Sequence, residues 1–168
     1  MQRLYEITFF VGAALVAGFA CTGALSLLAL IQVATKTILQ ALAGTLAIFV
    51  PLNVLIWHFN RRRALSALKF PIPPRMFDIA FGTLMGLVVL SLAYGFFAGR
   101  AAPIRPSANG YVDKFGHAST EHDYISLQRW EAAFVAVWSA TILLGVMALP
   151  FYSSKEGRHI FGGKRSDV

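Results

Sequence analysis

The sequence predicts an all-α integral membrane protein with four transmembrane helices, the fourth extended into the outer aqueous phase. Three observations carry this expectation. Hydrophobic residues fill 57% of the 168 positions and charged residues 14%, with a mean hydropathy of +0.61, which leaves too few polar side chains to clothe a water-soluble globule. Four runs, Ile7 to Gln32, Thr37 to Trp57, Ile79 to Gly99 and Ala132 to Tyr152, contain no Asp, Glu, Lys or Arg. Each supplies the roughly 20 residues that a helix rising ~1.5 Å per residue needs to cross the hydrocarbon. Finally, the chain lacks the ~10-residue alternating segments of a barrel, so helices are left as the way to satisfy backbone polar groups in lipid. The chain therefore reads as a single membrane domain, 1–168, with spans near 7–32, 37–58, 78–99 and 130–152, an outer loop over 99–129 and a cytoplasmic tail over 153–168.

The first run is far longer than the 7–15 residues of a signal-peptide core and is expected to be an uncleaved anchor. Cys21 is the single cysteine, which rules out an intrachain disulfide and a cysteine-based zinc site; the expectation is a small buried residue at a helix interface. With little more than Val33 to Lys36 between them, spans one and two form an antiparallel hairpin of adjacent helices. Small residues recur along span one at Ala14, Gly18, Thr22 and Ser26, and along span three at Gly82, Gly86, Ser91, Gly95 and Gly99. In lipid such stripes permit close helix approach, so Gly18, Gly82, Gly86, Gly95 and Gly99 are read as helix-packing residues, within the chain or against a partner. Pro51 in span two predicts a kink by freeing a carbonyl.

Orientation follows from the basic residues. The formal charge is +7, and ten of fifteen Lys and Arg fall on the side shared by the two termini and the loop between spans two and three. They are Arg3; Arg61, Arg62, Arg63, Lys69 and Arg75; and Lys155, Arg158, Lys164 and Arg165. The positive-inside rule places that side, and both termini, in the cytoplasm of a cell with an inner membrane. Arg61, Arg62, Arg63, Lys69 and Arg75 are then anionic-lipid contacts, each attracted to the headgroups by ~1 kcal/mol. No aromatic residues alternate with the arginines as a stacking surface would require, so nucleic acid is not an expected partner.

No charge lies near the middle of a span, which disfavours a proton-coupled pump. A membrane haem would need two imidazoles on facing helices at matched depth. His58 at the end of span two is the one histidine at a span; His117 and His122 lie on the other side and His159 in the tail. A His58 and His159 pair is the sole arrangement left, and no cofactor is expected. Trp57 and His58 read more simply as an interfacial anchor.

The outer loop holds the one cluster rich in chemistry, Asp113 to Glu131, DKFGHASTEHDYISLQRWE. Upstream, GRAAPIRPSANG should be an extended strap ending in a turn, and GYVDKFG a short hairpin around Asp113 and Lys114. From Thr120 the pattern becomes helical. Thr120 is an N-cap, Glu121 and Asp123 place negative charge in the first turn, and Asp123 completes a variant capping box. Tyr124, Leu127, Trp130, Glu131, Phe134 and Trp138 recur at helical spacing, with Trp130 in an aromatic belt. The rival reading is a metal or catalytic site of His117, Glu121, His122 and Asp123. HASTEH approaches the inverted zinc-protease pattern H-x-x-E-H but misses it by one residue. Adjacent His122 and Asp123 also point about 100° apart on a helix.

These features predict a small non-catalytic inner-membrane protein, an accessory or assembly subunit of a larger complex whose partners are anionic lipid headgroups and other membrane subunits. The alternatives are a small-solute or lipid transporter acting as an oligomer around Pro51 and Asn53, and a membrane enzyme using His117, Glu121, His122 and Asp123.

Overall fold

The computed structural model describes residues 2–63, 69, 71–97, 104–108, 110–113 and 115–152. In chain order these form α1 (Gln2–Leu27), α2 (Thr35–Arg63), α3 (Pro74–Phe97), the strands β1 (Arg105–Ser107), β2 (Gly110–Val112) and β3 (Ala118–Ser119), and α4 (Glu121–Tyr152). All four helices are long and apolar enough to cross a membrane.

Hydropathy overshoots the end of the first helix. The uncharged run continues to Gln32, but α1 stops at Leu27 because the chain turns left-handed at Ala29, φ 61°. Leu30 N–H donates to Leu25 O at 3.0 Å and Ala29 N–H to Ser26 O at 3.2 Å, the paired bonds of a Schellman ending, here without its usual glycine. Residues 28–34 thus form a longer connection than the sequence suggested. At the start of α3, Pro73 O accepts the N–H groups of Met76 and Phe77 at 2.9 and 3.3 Å. Pro74 follows as the first helical residue, where its missing donor costs nothing.

The helices are organised around α4. It packs against α1, α2 and α3, whereas α1 and α2 touch each other far less than either touches α4. The expected hairpin of spans one and two is present as a connection, but its two helices find their main packing surface on the fourth. Each outer helix offers one seam. On α1 it is Tyr5, Phe9, Gly12, Val16, Phe19, Gly23 and Ser26; on α3 it is Phe77, Phe81, Leu84, Val88, Ser91 and Gly95. Both advance by alternating steps of four and three, the 3.5-residue repeat that keeps one stripe facing a neighbour. On α4 the same steps link Ala133, Ala136, Ala140, Leu143 and Met147.

Glycines sit where backbones approach. The thioether of Met147 occupies the space a side chain at Gly12 would need, and the indole of Trp130 does the same at Gly95. A Cβ at Gly23 would stand 3.2 Å from Ala133 O and 3.3 Å from Ala136 Cβ. Tyr5 Oη donates to Met147 O at 3.3 Å, so the start of α1 meets the end of α4 while Gly23 meets its first half: the two helices run antiparallel. Cys21 departs from the sequence expectation, since it is exposed rather than buried in an interface.

One small sheet interrupts the helices. β1, β2 and β3 form an antiparallel meander in that order, with Ser107 opposite Gly110 and Val112 opposite Ala118. The strap predicted before Asn109 is thus the first arm of a hairpin, because Arg105–Ser107 pairs antiparallel with Gly110–Val112. Gly110, the first residue of β2, has φ 118°, a dihedral that glycine adopts without steric cost.

Candidate functional site

The histidine-bearing segment is held by Asp113. Its Oδ1 accepts the N–H groups of Phe115 and His117, each at 2.8 Å, and its Oδ2 lies 3.1 Å from His117 Nδ1. The strand exits of β2 and β3 are closed by Asp113 N–H donating to His117 O at 2.9 Å. Desolvation pushes the Asp113 carboxyl upward, but the bonds from the His117 N–H and ring and the Phe115 N–H outweigh it and hold the group below its ordinary value. His117 therefore faces back to its own turn. Glu121 and His122 are exposed, and Asp123 is engaged with Thr120. Thr120 Oγ1 donates to Asp123 Oδ2 at 2.6 Å and accepts Asp123 N–H at 3.1 Å, while Thr120 N–H donates to the same carboxylate at 3.2 Å. This is a reciprocal capping box with Asp in the acidic role. Among the described residues no three His, Cys, Asp or Glu side chains are grouped to hold a metal ion.

The sheet is fastened to the first turns of α4 by aromatic stacking. Tyr111 and Tyr124 have ring centroids 4.8 Å apart at 25°, and Gln128 Nε2 donates to Tyr124 Oη at 2.8 Å. One turn further along α4 lies a cavity of about 420 Å³, walled by Ser26 at the end of α1, by Ile31–Thr35 of the connection, and by Gln128, Arg129, Glu131 and Ala132. Within it, Ser26 Oγ and Arg129 Nε are buried and have no hydrogen-bond partner. Ser26 is only 1% exposed. Neither Arg129 nor Glu131 has an ion-pair partner among the described residues.

The sequence reading missed this site. Ser26 was visible as one member of a small-residue stripe and Arg129 as one loop charge, but their meeting depends on the left-handed turn at Ala29 and on α1 leaning against α4. Trp130, read from the sequence as an aromatic-belt residue, packs within the chain. It lies over Gly95 with a buried Nε1 that lacks a partner.

The remaining predicted residues are scattered. Among the described residues a Cβ at Gly18, Gly82 or Gly86 would meet nothing within 4 Å; Gly95 faces Trp130; Gly99 lies outside the described residues. The side chains of Arg61, Arg62 and Arg63 also lie outside the description, although their backbone forms the last turn of α2. Lys69 and Arg75 are exposed. Gln2 clamps the backbone of Lys69, donating through Nε2 to its carbonyl at 3.0 Å and accepting its N–H through Oε1 at 3.1 Å. His58 is exposed at the end of α2, and His159 and the tail 153–168 lie outside the described residues. Asn53 is buried, its Nδ2 donating to Phe49 O at 2.8 Å and its Oδ1 unpaired. Neither Pro51 nor Asn53 lines the cavity.

Comparison with protein families, with characterised proteins and with solved structures returned no match.

Proposed function

We propose that this chain is a non-catalytic, multi-pass protein of the inner membrane that serves as an accessory or assembly subunit of a larger membrane complex. The observation that supports it best is the open space at Gly18, Gly82 and Gly86, where a Cβ would touch nothing among the described residues. Close approach between helices in lipid relies on such small-residue grooves. Those on α1 and α3 receive no neighbour among the described residues and are suited to helices of another chain. The basic end, with Arg61, Arg62, Arg63, Lys69 and Arg75, lies on the cytoplasmic side in contact with anionic headgroups, and α4 begins in the outer aqueous phase.

Extraction in gentle detergent followed by mass analysis is expected to return stable foreign subunits. Gly82→Leu with Gly86→Leu should release them while the chain stays folded. A chain recovered alone, or a complex indifferent to both substitutions, refutes the assignment. A transporter working as a homo-oligomer is the second reading, supported by the buried, unpaired Asn53 Oδ1 two residues from the helix-interrupting Pro51; recovery of identical copies alone would select it.

A further inference from the structure

The cavity between the α1–α2 connection and the start of α4 has the attributes of a built binding site. Six other hydroxyls in these helices satisfy themselves locally. Thr8, Thr22, Thr45, Ser139 and Thr141 each donate to the carbonyl four residues earlier, and Ser91 to the one three earlier. Ser26 does not, although it is more deeply buried than most of them and belongs to the wall of the cavity. A buried hydroxyl and a buried guanidinium nitrogen left without partners each carry a desolvation cost that a bound ligand would remove.

The charges define what that ligand must look like. At about 100° per residue, Gln128 and Ala132 lie on the cavity face of α4, while Arg129 and Glu131 project along its opposite flanks. Both line the cavity, yet they form no ion pair with each other. A simple anion would satisfy Arg129 and leave Glu131 facing it; a simple cation would do the reverse. A group carrying both charges satisfies the two together. The volume of about 420 Å³ falls within the range of small-ligand pockets. Beside it, Leu27, Leu28 and Leu30 are 60%, 68% and 67% exposed, an apolar skirt against which acyl chains can lie.

We propose that this cavity binds a phosphate–ammonium zwitterion of the phosphoethanolamine type, presented by a lipid, with its phosphate on Arg129 and Ser26 and its ammonium on Glu131. The carboxylate accepts hydrogen bonds that an ammonium can donate and a trimethylammonium cannot, so recognition depends on the headgroup as well as the charge.

The test is native mass spectrometry of the full chain exchanged into phosphatidylethanolamine, phosphatidylcholine and phosphatidylglycerol of identical acyl chains. Wild type is expected to retain the ethanolamine lipid about tenfold over the other two, the equivalent of one good charge-assisted hydrogen bond. Glu131→Gln should erase that preference while still retaining phospholipid, and Ser26→Ala should weaken retention of all three. Arg129→Lys, which keeps the charge and removes the buried Nε, should also weaken all three, and it guards against a misfolded Arg129→Gln. Added free phosphoethanolamine identifies the source: failure to displace the lipid assigns the site to a lipid headgroup, and displacement at comparable concentration assigns it to a soluble zwitterion. Equal retention of the three lipids by wild type, or a selectivity unchanged in Glu131→Gln, overturns the proposal.

Discussion

Within its most apolar stretch α4 is 56% buried, whereas α1, α2 and α3 reach 17%, 22% and 17%. All four are apolar enough to cross a bilayer, so hydropathy does not separate the central helix from the peripheral ones. Residue size does. The buried set of α4 includes Ala132, Ala133, Ala136, Ser139, Ala140 and Ala148, while the outer helices bury Tyr5, Phe9, Phe19, Phe49 and Phe77. Because lipid tails are as apolar as a leucine, helices in a membrane gain little from burying apolar surface against one another and depend on close van der Waals contact. The small residues of α4 let neighbours approach, as Ala133 and Ala136 do at Gly23, and where α4 is large, at Met147 and Trp130, the outer helices supply Gly12 and Gly95.

The sharpest way to break this comparison is to make the centre resemble the periphery. Ala136→Leu forces extra volume against Gly23 and should destabilise the fold by about 1–3 kcal/mol. The same leucine at Gly86, which faces nothing among the described residues, should shift intrachain stability by no more than about 0.5 kcal/mol. Unfolding of both variants by denaturing detergent measures the contrast, and equal losses would mean that α4 is not the centre.

The start of the central helix can be loosened without touching its packing. Thr120→Ala removes one partner of the capping box and should cost ~1 kcal/mol, read as faster hydrogen exchange at the N–H groups of Asp123 and Tyr124 and unchanged exchange beyond Ala132. At the end of the peripheral α1, Ala29→Gly should act in the opposite sense. A left-handed alanine is strained by roughly 1 kcal/mol, part of which is returned to the greater freedom of an unfolded glycine, so a gain of about 0.5 kcal/mol is expected.

The last effect is local to the sheet beside α4. The Asp113 carboxyl titrates below its ordinary value when folded, so its contribution is complete above the ordinary carboxylate range and is lost as pH falls through the depressed folded value. Exchange at the Phe115 and His117 N–H groups should therefore accelerate on acidification in wild type relative to Asp113→Asn, which keeps an acceptor and has no charge to lose. Parallel pH profiles for the two proteins would remove the carboxylate from this account.

Much of the helical core was legible because its signals are local. The capping box at Thr120 and Asp123 sits within four residues, and side chains that close choose their partners with little help from the rest of the chain. The glycine stripes were less informative. Gly82 and Gly86 lie one or two positions away from the seam through Phe81, Leu84 and Val88, and a one-residue rotation about the helix axis turns a groove from neighbour to solvent or lipid. The choice between two apolar faces of one helix depends on the other helices, and no charge in the sequence marks it.

The sequence by itself determined four membrane-length helices, the segregation of basic residues, and the cap that begins the last helix, since these depend on uncharged run length, charge placement and hydrogen bonds closed within one turn. Only the tertiary structure decided that α4 is the hub, that Gly12, Gly23 and Gly95 rather than Gly18, Gly82 and Gly86 receive neighbours, and that Ser26, Arg129 and Glu131 share a cavity. Those outcomes depend on the rotation of each helix and on a left-handed turn at an alanine, which are settled by packing between segments about a hundred residues apart in the chain.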